Sequence, residues 1–195
     1  MYPCYNHQKS EVMIMNLKMT NGILFIVGAI APIAIYMGLG PEGADVIDEA
    51  NAEKIVFWIM LSLPIAFMMT ADTMSGGSGH SYAKAGLLIM IISYAAGSVG
   101  DGIYVQNSEM GEALTSTFWP AMMMGFGITG IGYFVQKTFP TLLSGLMILV
   151  GIFGFVVIGV IGMDNEALEI PLWLGFTIIN LSLGILTIRK KNSKK

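Results

Sequence analysis

Six stretches of this chain are apolar for long enough to cross a lipid bilayer, and nothing else in the sequence limits its fold so strongly. A hydrocarbon core about 30 Å thick needs roughly 20 apolar residues per helix. Runs of about that length, bounded by charge or turn residues, occupy 22–40, 55–71, 85–105, 117–135, 141–162 and 170–188. The expected fold is therefore all-α, a polytopic membrane protein of six transmembrane helices. Residues 1–20 form an N-terminal tail, 21–188 the six-helix domain and 189–195 a basic C-terminal tail.

Composition excludes the main alternatives. Hydrophobic residues make up 54% of the chain and charged residues only 12%, against about a quarter charged in soluble domains. A soluble helical domain would show polar faces at helical spacing on most of these runs, and they are lacking. The mean hydropathy of +0.70 rules out a disordered or collagen-like chain. The single cysteine, Cys4, cannot close an internal disulfide. The first twenty residues lack the charged, apolar and cleavage regions of a secretory signal. Met13, Met15 and Met19 offer alternative starts within them.

Charge sets the threading. With the N-terminus cytoplasmic, nine of the ten basic residues fall on inner segments, and only Lys54 lies outside. Eleven of the thirteen acids fall on outer loops, leaving Glu11 and Asp72 inside. Lysine and arginine are retained on the cytoplasmic side. The expected placement is a multi-pass protein of the cell (plasma) membrane with both termini cytoplasmic.

The six runs also pair as a repeat. The first, third and fifth begin with a glycine before large aliphatic residues, at Gly22, Gly86 and Gly145, and are followed by an acidic loop and then a tryptophan, Trp58, Trp119 or Trp173. Three helical hairpins entering from one side are parallel repeats about an axis along the membrane normal. Shared topology constraints alone can produce such similarity. Indole prefers the headgroup level, so the three tryptophans are expected as an outer aromatic belt.

Helices in lipid associate through small residues and a few hydrogen bonds. Ser93, Gly97 and Asp101 recur at a spacing of four on one face of the third run, with Ala96 and Gly100 as a second small pair beside them, and Ala121, Gly125 and Thr129 share a face of the fourth. Asn180 is expected to face another helix as packing glue. Pro120 is placed in the first turn of the fourth helix, where its missing N–H matters little. Pro32 and Pro64 are interior and should kink their helices for packing.

Asp101 is the leading candidate for chemistry. It follows its repeat glycine by fewer residues than Glu42 and Asp164 follow theirs, which sets its carboxylate about 6–7 Å deeper if the helix stays regular. Ionisable groups at membrane depth commonly bind cations or relay protons. The competing reading is that Gly100-Asp101-Gly102 ends the helix in a turn. In a transport role Asp101 would line the pathway with Ser93, Tyr94 and Asn180, with Gly97 on the same face. The outer acidic surface would concentrate cations or recruit a basic partner, or serve only solubility.

Other chemistry finds little support. Neighbouring methionines such as Met122-Met123-Met124 point about 100° apart and cannot share a copper(I) ion, so the sixteen methionines read as apolar filler. Cys4, His7 and His80 lack zinc-ligand spacing. No hydrolase, metalloprotease or phosphate-loop motif is present, and Ser75–His80 reads as a flexible glycine-rich connector. The basic tail from Arg189 should lie against anionic headgroups. The sequence thus points to no enzyme, cofactor, metal or nucleic acid. It suggests a structural or accessory membrane subunit, partnered by the bilayer and by other membrane proteins or copies of itself. The alternative is a small transporter or channel for a cation or small solute.

Overall fold

The computed structural model describes residues 4–40, 43–162 and 166–190, with side chains from residue 16 onward except that of Glu166. Every element among them is helical: α1 (Cys4–Ile33) continuing as a π-helical turn (Ala34–Leu39), α2 (Glu49–Met60), α3 (Ser62–Asp72), α4 (Gly77–Tyr104), α5 (Ser108–Gln136), α6 (Thr141–Val156) continuing as a second π turn (Val157–Ile161), and α7 (Glu166–Arg189). Six segments are long and apolar enough to cross a membrane: Asn16–Leu39, Glu49–Asp72, Gly77–Tyr104, Ser108–Gln136, Thr141–Ile161 and Ala167–Arg189. Each contains its expected apolar run to within a residue.

The helices extend beyond those runs because polar caps start them early. Asp48 accepts the Asn51 N–H at 2.9 Å and opens α2, and Asn107 accepts the Met110 N–H at 3.1 Å and opens α5. Each satisfies an N–H that the first helical turn leaves without a partner. Pro120 is consequently in the interior of α5, not in its first turn as the apolar boundary suggested. The glycine-rich segment differs likewise. Only Ser75 and Gly76 stay outside helix, and Gly77 to His80 form the first turn of α4, with His80 Nδ1 3.1 Å from the Ala71 carbonyl.

The interior prolines act as expected. A proline ring clashes with the carbonyl four residues earlier. For Pro64 that residue is Met60, and the second span breaks there into α2 and α3 at Leu61. After Pro32 the first span widens into its π turn. The fifth span also ends in a π turn, so the first and third units of the proposed repeat share this feature, whereas α4 stays α-helical to Tyr104.

Consecutive spans are neighbours, and α7 closes the ring against α1. The start of the first span and the end of α7 meet at one end of the bundle, the terminal end, where Lys18 Nζ lies 3.5 Å from the Lys190 carbonyl. The interior is filled by Phe25, Phe67, Phe126, Tyr133 and Phe176. The Phe25 and Phe67 rings meet edge-on at 4.9 Å, and those of Phe126 and Phe176 at 4.9 Å.

Close backbone approach at glycines sets the packing. Along α4, Gly79, Gly86, Ser93 and Gly100 recur every seven residues and are all buried; from α5, Gly132 faces Gly79, Gly125 faces Gly86, and Leu114 and Thr115 meet Gly100. A Cβ added at Gly86 would lie 2.5 Å from the Gly125 carbonyl oxygen, and one at Gly125 would lie 2.7 Å from that of Gly86. A seven-residue repeat keeps one seam against its partner along the helix, and contact this close permits Cα–H···O bonds. The same device joins α5 to α6 at Gly127 and Gly151, and α1 to α7 at Gly22 and Gly184. The tightest packing therefore runs between α4 and α5, between α5 and α6, and between α1 and α7. Of the repeat glycines, Gly22 and Gly86 lie at such contacts, while a Cβ at Gly145 would meet nothing within 4 Å.

Gly125→Leu is expected to destabilise the bundle by at least about 3 kcal/mol through overpacking. Gly145→Ala should gain about 0.5–1 kcal/mol from helix propensity. Unfolding titrations of both variants in micelles, beside the unsubstituted protein, check the pair.

Candidate functional site

At the end of the bundle opposite the chain ends, α4 presents Tyr94, Gly97 and Asp101 toward α5. The helix continues through Asp101 to Tyr104, so Gly100-Asp101-Gly102 is not a turn and the carboxylate stands on the last turn of a regular helix. Glu42 and Asp164, against which its depth was measured, lie outside the described residues. Gly97 acts as a seat: a Cβ there would come within 3.1 Å of the Trp119 indole. With only hydrogen at that position, the indole lies flat on α4 and its Nε1–H donates to Asp101 Oδ1 at 3.2 Å.

Tyr94, nearly a full turn below Gly97, packs edge-on against Trp119 with centroids 5.9 Å apart, and its hydroxyl donates to the Phe57 carbonyl at 2.8 Å. That carbonyl also accepts the Leu61 N–H at 3.2 Å, so Tyr94 ties α4 to the break in the second span. The aromatic chain continues from Trp119 to Trp173 at 6.3 Å and on to Phe176 at 6.0 Å.

The tryptophans thus do not form a uniform belt. Trp58 is exposed, as a belt requires. Trp119 is buried against α4, and Trp173, half-buried, donates its Nε1–H to Glu169 Oε1 at 3.0 Å. Burial of an indole requires an acceptor for its N–H. Asp101 and Glu169 supply it.

A second carboxylate joins Asp101 from the neighbouring span. Glu53, half-buried on α2, lies beside the Tyr36 hydroxyl of the first span and close enough to Asp101 for their charges to interact. Two carboxyls, two phenols and one indole N–H from four spans therefore gather at this end. Carboxyls and phenols are the side chains that can hold a cation or a proton. Among the described residues it includes no nucleophile with its base and no group of three metal-ligating His, Cys, Asp or Glu side chains.

The other expected residues are placed differently. Ser93 is buried in the α4–α5 seam. Asn180 lies elsewhere, fully buried on α7. Its Nδ2–H donates to the Phe176 carbonyl of its own helix at 2.9 Å while Oδ1 has no partner, so it does not bridge helices. Bridging falls instead to Asn21 and Thr70, whose Nδ2–H···Oγ1 bond of 3.0 Å joins α1 to α3, with the Tyr133 hydroxyl of α5 beside Thr70.

Between these layers is a cavity of about 20 Å³, lined by Met60, Leu63, Pro64, Phe67, Met90, Tyr94, Met122 and Phe176. Its lining is apolar, and apolar cavities of this size stay dry. Of the methionine run, Met122 and Met123 are buried and Met124 is exposed, as divergence around a helix requires. No protein-family model, curated protein or solved structure matches the chain.

Asp101→Leu is expected to cost about 1–3 kcal/mol, because the buried indole N–H loses its acceptor; Asp101→Asn keeps an acceptor and should cost less. Adding Trp119→Phe to Asp101→Leu should recover most of the loss, which a double-mutant cycle of unfolding free energies measures. Asn180→Leu removes an unpartnered oxygen and should leave stability unchanged or higher in the same assay.

Proposed function

We propose that the chain is a non-catalytic structural or accessory subunit of a membrane assembly, held in the plasma membrane with both termini cytoplasmic. One observation supports this reading: the interior is filled by packed aromatic side chains, and the apolar pocket among them measures only about 20 Å³. A polar solute would need a lined path. The sorting of nine of ten basic residues to one side supports the orientation. The proposed partners are the bilayer and other membrane proteins, or further copies of the chain.

The glycine seams between α4 and α5, α5 and α6, and α1 and α7 are used within the bundle, so a partner would meet a different surface. Gly145, open beside the exposed Leu142, Leu149 and Ile152 of α6, permits the close helix approach that such contacts favour.

A second reading rests on the approach of Glu53 to Asp101. Asp101 with a second acid on the neighbouring span suits a cation transporter or channel with Asp101 at its outer entrance.

Purification from native membranes in mild detergent separates the two. The subunit reading expects a stoichiometric membrane partner or a fixed oligomer, lost in Gly145→Leu while the thermal midpoint of the isolated chain is kept. Recovery of a lone monomer whose proteoliposomes pass a cation current that Asp101→Asn abolishes would instead establish transport.

A further inference from the structure

At the terminal end, the loop between α5 and α6 and the last turn of α7 enclose an open cleft of about 450 Å³. Lys137, Arg189 and Lys190 line it, with Thr138 and Thr141, and no carboxylate is among its lining residues. Lys190 is drawn over the loop, its Nζ 3.4 Å from the Thr138 carbonyl. Lys18 of α1 adds a fourth cation at the edge through its contact with the Lys190 carbonyl.

Two further features suit this cleft to an anion. The N-terminus of α6 opens there behind Pro140 without a side-chain cap, which leaves backbone N–H groups and the positive end of the helix dipole unsatisfied. Lys137 itself occupies the left-handed region at φ 53°, at the end of α5, where glycine is the usual residue. A lysine held in a conformation that glycine adopts more easily indicates a use for its side chain.

The rest of the lining is apolar. Phe139, Pro140 and Leu186 complete the cleft, and the exposed Leu142 continues from it along α6. The cleft thus places cations at the last polar turn of two spanning helices and hydrocarbon immediately beyond them. Free phosphate would use the first half of this surface, whereas a phospholipid uses both. We infer that the cleft between the α5–α6 loop and the end of α7 binds the phosphate headgroup of an anionic phospholipid, whose acyl chains run along α6.

The test uses the full-length protein in nanodiscs containing equal phosphatidylglycerol and phosphatidylcholine, with retained lipid counted by native mass spectrometry. The unsubstituted protein should retain phosphatidylglycerol preferentially. Each basic residue near an anionic surface contributes about fivefold in affinity, so Lys137→Gly with Arg189→Gln should lower that preference by about 25-fold. Lys137→Gly relieves the left-handed backbone, so the thermal midpoint should hold or rise, which separates lost binding from lost folding. Equal retention of the two lipids, or an unchanged preference in the folded double variant, overturns the inference. So does inorganic phosphate alone binding the detergent-solubilised protein as tightly as phosphatidylglycerol does, because the apolar half of the cleft would then contribute nothing.

Discussion

The contact between α4 and α5 depends on glycine at the positions where the two backbones meet. Lipid supplies no hydrophobic force between helices, so their association relies on dispersion and weak polar contacts that decline steeply with distance. At Gly86 and Gly125 the backbones are closer than any side chain allows. That closeness fixes the register of the hairpin, and the register fixes which side chains oppose one another further along. Trp119 reaches Asp101 only because the same seam brings Gly97 beneath the indole. The geometry of the acidic cluster is thus inherited from glycines several turns away.

The fold was legible because a bilayer imposes a length on every span, and six apolar runs of that length leave few arrangements. The ends were less legible. Hydrocarbon-length runs mark the part of a helix that lipid requires, while Asp48 and Asn107 begin helices in the polar zone where hydropathy is silent. Reading those two residues as N-caps would have carried α2 back to include Glu53 and moved Pro120 into the interior of α5. Small residues mark contacts in the sequence, but along α4 a spacing of four (Ser93, Gly97, Asp101) and one of seven (Gly79, Gly86, Ser93, Gly100) both yield a face, and only packing selects the second as the seam.

The candidate site shows a different limit. Asp101 stands out in the sequence by its short separation from the repeat glycine, and α4 stays helical through it. Glu53 and Tyr36 could not be associated with it, since their meeting depends on how three spans pack rather than on any local pattern. Asn180 shows the converse. Its chemistry suggested a bridge between helices, yet an amide in a helix can always find the carbonyl one turn back, and Asn180 does. The bridging role passed to Asn21 and Thr70, which local sequence does not distinguish from other polar residues near a span boundary.

The middle hairpin also differs from its neighbours in length. α4 has 28 residues and α5 has 29, whereas the second, fifth and sixth spans have 24, 21 and 23. At 1.5 Å per residue the two helices reach about 42 Å, some 12 Å more than the hydrocarbon. A helix longer than the hydrocarbon either tilts or projects, and because short loops tie these two to α3 and α6 at the terminal end, the opposite end is the one free to project as a post. Its tip is the tight turn at Val105, Gln106 and Asn107, with Glu109 and Glu112 just inside it. Such a post would stand among or above the headgroups, and it gives the molecule an extramembranous relief that neither loop length nor hydropathy announces.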